Sequence, residues 1–212
     1  MGKILARSLI EFRTRGAAGF VRFAATRLLQ VRSDVLYEMN LTGLDSTSTL
    51  VPGVPWVLVD RHSLGSATTR GVEADVLTPE NHAYRAALMG QDQLLALTGV
   101  QGGVCCYGFV LFASFYKRVL GEADSVPMIS NCFTVVARRG HGLYPQLLVV
   151  MCQHLARQGH DRAIITCAPD NMASVRGIEK AGFRRVKTLH SLILGARWIV
   201  WQRSLAAHES AA

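Results

Sequence analysis

Ala137-Arg138-Arg139-Gly140-His141-Gly142-Leu143-Tyr144-Pro145 joins a strong strand pattern to a strong helix pattern. Before it, residues 128–136 are an apolar and β-branched run that predicts a strand. After it, Leu143 to Gln158 carries apolar residues at helical spacing and is closed by Gly159. Glycines at 140 and 142 let the backbone pass close to a ligand. The amides of 139–143 stand where a helix begins, with no carbonyl one turn back to accept them. Such a strand–turn–helix junction is an anion site: the peptide dipoles supply about half a positive charge, and Arg138 and Arg139 add whole charges beside it. Pro145 falls in the first helical turn, where its missing N–H costs nothing.

Two phosphate-binding patterns are excluded. A G-x-G-x-x-G fingerprint needs glycine where Pro145 stands, and the G-x-x-x-x-G-K-[ST] loop is absent. One strand further on, Arg162 to Cys167, comes a second segment, Asn171-Met172-Ala173-Ser174-Val175-Arg176-Gly177-Ile178-Glu179-Lys180-Ala181-Gly182-Phe183. Together the two segments resemble the GCN5-related N-acetyltransferase (GNAT) superfamily. Its acyl-CoA signature pairs [QR]-x-x-G-x-[GA] after a strand with N-x-x-[SA] leading into K-x-G-F about thirty residues later. The resemblance covers residues 128–190.

It implies an α/β fold with a mixed, mainly antiparallel sheet flanked by helices, and acetyl-CoA as co-substrate. By position it assigns the pyrophosphate to the turn amides of Arg138, Arg139, Gly140, His141, Gly142, Leu143 and Tyr144. The pantetheine arm is assigned to backbone groups of Thr134, Val135 and Val136, and to the Asn171 side chain beside Ser174 at the family's small-residue position. Phe183 is expected in the core and Lys180 in water. Two positions depart from the pattern. Ala137 replaces the usual Gln or Arg, and Ile178 occupies the place where many members carry a tyrosine acid.

The implied chemistry is direct attack of an amine on a thioester, which asks for a base near neutral pKa and a polarised carbonyl. The 128–136 strand offers Ser130, Asn131 and Cys132 and no carboxylate. Ser130 is therefore the candidate for relaying a proton through water, and Tyr144 the candidate acid. Each has a plain structural alternative, Tyr144 as a packed aromatic and Cys132 as core. Two further readings remain: transfer of a longer acyl chain near a membrane, and a catalytically silent acyl-CoA-binding module.

Elsewhere the chain predicts strands at 35–41 and 56–60, a loop over 42–55, and strands at 104–116, 186–194 and 196–201. A helix over 173–181 follows Asn171. Thr78-Pro79-Glu80 predicts the start of another helix running to about Leu97. The first 33 residues show helical spacing (Phe20, Ala24, Leu28, Val31) and predict two helices, 3–14 and 17–32, appended to a domain over 34–212. Three readings of that arm stay open: peripheral contact with an anionic membrane, a transit peptide, or helices docked with their arginines in water.

Of 212 residues half are hydrophobic, and the formal charge of +8 is unevenly spread. Residues 1–33 hold seven basic groups and one acid, 34–136 five and ten, and 137–203 eleven and three. The positive charge thus divides between the N-terminal arm and the glycine turn. With no helix-turn-helix, zinc or RNP pattern beside it, nucleic acid is not the expected partner. The acidic middle block suits a cationic amine as acceptor, and an amino sugar, a peptide amine or another small amine fits equally. Five cysteines, with no CxxC spacing, read as buried free thiols rather than disulfides or metal ligands. The longest apolar run, 104–116, is shorter than the roughly 18 residues a membrane span needs, and no signal segment is apparent. The expected setting is cytoplasmic, with membrane association through residues 1–33 as the alternative.

Overall fold

The computed structural model describes residues 29–44, 55–79, 81, 83–99, 102–194 and 198–206. The strands are β1 (Leu29–Asn40), β2 (Trp56–Val59), β3 (Gln93–Gly99), β4 (Gly102–Leu111), β5 (Met128–Thr134), β6 (Arg162–Cys167), β7 (Arg184–Leu194) and β8 (Trp198–Ala206). The helices are α1 (Arg70–Val76), α2 (Ala83–Leu88), α3 (Phe115–Leu120), α4 (Leu143–Arg157) and α5 (Met172–Lys180), and a 3-10 turn spans Val136–Arg138. Hydrogen-bonded neighbours follow the order β2-β3-β4-β5-β6-β1-β7-β8. β2, β3, β4 and β5 pair antiparallel in succession, β5 and β6 are parallel, and β6 pairs antiparallel with β1. The architecture is the mixed, mainly antiparallel sheet with flanking helices that the sequence implied.

The chain forms two compact units. Val35–Lys187 is one, and it contains the glycine turn and the strands and helices around it. Its sheet is covered on both faces. Val72 and Val76 of α1 and Leu88 of α2 pack with Phe109, Leu94 and Ala96 on one side. Leu147, Leu148, Met151 and Leu155 of α4, with Ile178 of α5 and Ala181 just after it, pack on Leu95, Leu97, Cys106, Val110 and Ile165 on the other. Double coverage explains why these strands read as unbroken apolar runs. The second unit is made from the chain ends, Met1–Asp34 and Thr188–Ala212. Within it the Ser33 hydroxyl and His190 Nδ1 lie 3.0 Å apart. No described helix is long and apolar enough to cross a membrane.

Several sequence expectations are corrected. The helix expected over 17–32 overlaps β1, whose strand begins at Leu29, and Val31 is 81% exposed rather than part of an apolar stripe. Strand pairing, a non-local interaction, overrides the local spacing there. The remainder of both expected N-terminal helices lies outside the described residues, as does 45–54 of the loop.

The helix expected from Thr78 to Leu97 is only α2, and Gln93–Leu97 belongs to β3, where those residues are buried. A short apolar run that is covered on both faces cannot be told from a buried helix by periodicity. The strand expected over 104–116 stops at Leu111. The buried Asp92 carboxylate takes the Phe112 N–H at 2.8 Å, the Ser114 hydroxyl caps Tyr116 N at 3.2 Å to start α3, and Gly121 closes it at φ 72°. Helix α1 was not anticipated at all.

Candidate active site

The site is made where two paired strands part. β5 and β6 pair only at Met128–Ile164 and Ile129–Ile165, and beyond those residues they diverge. On its other edge β5 slips against β4: Ser130 lies opposite Phe109 and Phe133 opposite Tyr107, so Asn131 and Cys132 together face Gly108 alone. This is a β-bulge, which bends the strand that carries it. Asn131 sits at φ 47°, the single described non-glycine residue with a positive φ.

Gly108 makes room for the bulge. A Cβ there would stand 2.8 Å from Cys132 Sγ and 3.2 Å from Met151 Sδ.

Past the bulge the strand resumes its ladder. Thr134 pairs with Cys106, and Val135 N donates to Cys105 O at 3.0 Å. Because neighbouring residues of a strand alternate in the side to which their peptide groups point, those of Thr134 are turned from β4 toward the opening. The chain then enters the 3-10 turn, with Arg138 N bonded to Val135 O at 2.8 Å and Arg139 N to Val136 O at 3.2 Å. Gly140 and Gly142 both adopt left-handed conformations, at φ 80° and 71°, and Gly142 is the residue from which α4 starts. Among the described residues, the N–H groups of Gly140, His141, Gly142, Leu143 and Tyr144 donate to no backbone carbonyl outside the helices. Together they form an outward-facing cluster of donors at a helix N-terminus.

A cleft of about 480 Å³ runs from the bulge to this turn, between Cys132, Phe133 and Thr134 on one wall and Asn171, Ala173, Ser174 and Gly177 on the other. Arg138, Arg139, Gly140, Gly142, Leu143, Tyr144 and Pro145 form its end. Both arginines are exposed. Arg139 is held by its Nε donating to Thr134 O at 3.2 Å and by lying 5.8 Å from the Phe133 ring centroid. A chain of peptide groups ending in a cationic, amide-rich turn fits a long polar ligand whose anionic end lies at the turn.

Nine of the twelve residues assigned to acyl-CoA by the resemblance line this cleft. Val135, Val136 and His141 do not: Val135 N–H is engaged by Cys105, and His141 Nδ1 lies 2.8 Å from Arg139 O. Asn171 uses its side-chain Oδ1 to cap α5 at Ser174 N, 3.2 Å away, which leaves its Nδ2 as the group available to the cleft. Ser130 precedes the lining residues on β5. Ile178 and Phe183 are core residues, and Lys180 is an exposed charge in the last turn of α5.

Tyr144 is inserted into the floor. Its ring lies on Gly177, where an added Cβ would overlap Cδ1 and stand 2.7 Å from Cε1. Burial raises its phenol well above the ordinary range, the neighbouring Cys132, Cys167 and Cys106 raise it further, and a hydrogen bond with Ser174 opposes them. The same burial raises the Cys132 thiol far above its ordinary value, with Cys106 adding to the effect. Cys106 is pushed up to about 11 by burial, against a hydrogen bond with Thr134. All five cysteines are free, and all but Cys132 are buried. At neutral pH these groups stay protonated, so Cys132 is not a thiolate nucleophile and Tyr144 is a weak acid.

Sequence reasoning missed Cys132, Phe133, Pro145, Ala173 and Gly177 as lining residues. Gly177 had a signal, a glycine inside a helix, which marks close approach of a neighbour.

No protein-family model and no curated protein sequence matches the chain. Its backbone is similar to that of a GNAT-family acetyltransferase from Colwellia psychrerythraea, at 17% identity and a TM-score of 0.51. That likeness covers 84% of this chain and 61% of the other. The fold is that of the GNAT acetyltransferases. A Drosophila protein shares it at 14% identity and a TM-score of 0.55, over 88% of this chain and 58% of that one. The chain thus spans about three fifths of the length of these structures. In the GNAT fold seen here, the bulge, the parting strands and the glycine turn all fall within the segment that carried the sequence resemblance.

Proposed function

We propose that the chain is an N-acyltransferase that moves an acetyl group from acetyl-CoA to a primary amine by direct attack. The observation that carries this reading is the cleft itself: a strand edge leading into five uncommitted amides at the start of α4, with Arg138 and Arg139 beside them. Those amides and arginines would hold the pyrophosphate, Thr134 and Asn171 Nδ2 the polar arm, and the far end of the cleft, at Cys132, the thioester. Acetyl-CoA supplies an acyl carbon already activated by its thiol leaving group. This chain contributes position and exclusion of water. The amine nitrogen forms the new bond to the acyl carbon, the carbon–sulfur bond breaks, and the proton lost by the amine ends on the released thiol or on water. Ile178 is buried and has no proton to give, and Tyr144 holds its proton tightly, so charge placement rather than a strong side-chain acid accounts for the rate. Residues 1–33 remain a candidate for peripheral membrane contact, and the cytoplasm is the compartment that suits five free thiols.

Binding and chemistry separate experimentally. Acetyl-CoA should raise the melting temperature, by an amount equivalent to about 2.7 kcal/mol at a hundred times its dissociation constant. Thiol release on adding an amine then measures transfer. Absence of a shift with acetyl-CoA and with long-chain acyl-CoA alike would refute the donor assignment.

A further inference from the structure

A hydrogen-bond chain that no sequence motif announced begins at the bulge. Asn131 Nδ2 donates to Asn81 Oδ1 at 3.3 Å. Asn81 Nδ2 in turn donates to Tyr107 Oη at 2.9 Å and to the carbonyl of Val76 at 3.1 Å. The direction of this chain is decided at one end. A backbone carbonyl can only accept, so Val76 turns the Asn81 amide with its NH2 toward α1 and Tyr107. Asn81 Oδ1 is left for Asn131, and Asn131 must therefore present its NH2 to Asn81. Its own Oδ1 is the one strong acceptor that the chain does not consume.

The place is as specific as the polarity. Asn131 is exposed, adjoins Cys132 at the inner end of the cleft, and stands where β5 and β6 part. It holds the left-handed conformation that, outside glycine, asparagine tolerates best. With the anionic end of a donor at the α4 turn, the thioester lies at the bulge. The Tyr107 ring, 5.7 Å from that of Phe133, ties the hydrogen-bond chain to the same wall of the cleft.

We propose that Asn131 Oδ1 receives an N–H of the acceptor amine and so aims its lone pair at the acyl carbon, with Asn81 and Tyr107 as positioning residues. This inference rests on the acyl-CoA reading above. A primary amine fits this site, because it keeps an N–H for Asn131 Oδ1 while its lone pair attacks.

The test uses the full chain saturated with CoA, into which spermidine, glucosamine and phenylalaninamide are titrated as probes of unreactive ternary binding, followed by turnover with acetyl-CoA. Asn131→Gly preserves the left-handed backbone and removes only the amide. It should bind acetyl-CoA within twofold of wild type while weakening the best-bound amine at least tenfold and raising its KM in parallel. Asn81→Leu should raise KM three- to tenfold with little change in kcat, and should add nothing in the Asn131→Gly background, because it acts through the same atom. Unchanged amine binding in Asn131→Gly overturns the proposal, as does failure of all three amines to bind or react while acetyl-CoA binds. If wild type binds no acyl-CoA, it is the donor reading that fails.

Discussion

Gly177 to Ala is the substitution for which two physical effects give opposite signs. In an ordinary exposed helix position the change stabilises by about 1 kcal/mol, because alanine loses less backbone entropy than glycine. Here the new methyl would stand 2.7 Å from Tyr144 Cε1 and overlap Cδ1, and the ring is packed on the core that Cys132, Leu143 and Val175 also join. Forcing a methyl into such packing costs about 1 to 3 kcal/mol. The net expectation is a loss of up to about 2 kcal/mol, or roughly 4 to 8 °C in melting temperature for a chain of this size. In a Tyr144→Ala background the obstacle is gone, and the same Gly177→Ala change should stabilise by about 1 kcal/mol. The coupling between the two positions in a double-mutant cycle is therefore about 1 to 3 kcal/mol. Urea or thermal unfolding of the four proteins measures it. Because Tyr144 and Gly177 both line the cleft, Gly177→Ala should weaken acetyl-CoA as well. A Gly177→Ala protein that is more stable than wild type, with no coupling to Tyr144, would refute the packing argument.

Replacing Arg138 and Arg139 together by alanine should weaken acetyl-CoA between about threefold and thirtyfold, from about 0.3–1 kcal/mol for each exposed charge. Calorimetry at low ionic strength and near 1 M salt checks it, since screening should shrink the difference. Lys117 is fully buried and donates to Phe112 O and Asp124 O, each at 2.7 Å. Burial lowers its ammonium from the ordinary 10.5 despite the opposing influence of Asp124, Asp92 and Glu122. Between the lowered value and 10.5 the unfolded chain holds a proton that the folded chain has released, so wild-type stability rises with pH across that window. Lys117→Met should lose that rise, as read from urea midpoints taken between pH 8 and 11. Finally, an aromatic disulfide reagent at pH 8 should leave Cys106 and Cys152 unlabelled in the folded protein and modify all five thiols in denaturant, because both are fully buried and burial raises their thiols. Rapid native labelling at Cys106 or Cys152 would contradict their burial in the core.

Features that rest on neighbours along the chain are legible from residue order. Gly140 and Gly142 are needed for backbone angles that other residues rarely adopt, α4 has an amphipathic period, Asn171 is three residues from the amide it caps, and Gly182 and Phe183 terminate α5 against the core. Those local requirements sufficed to expect the strand–turn–helix junction, the second βα unit and the sheet class.

Tertiary structure alone decided what depends on residues far apart in the chain. β3 reads like a helix because burial on both faces erases the alternation that distinguishes a strand, and β4 ends at Leu111 because Asp92, twenty residues away, takes the Phe112 N–H. Leu29–Arg32 belongs to β1 although its spacing suits a helix. The parting of β5 from β6 at Ile129 and Ile165, the bulge opposite Gly108, and the insertion of Tyr144 against Gly177 have no local signature. Each is a fit between surfaces brought together only when the chain folds. The same is true of the Asn131–Asn81–Tyr107 chain: fifty residues separate Asn131 from Asn81, and the polarity of the amide at the bulge is set by a carbonyl on α1.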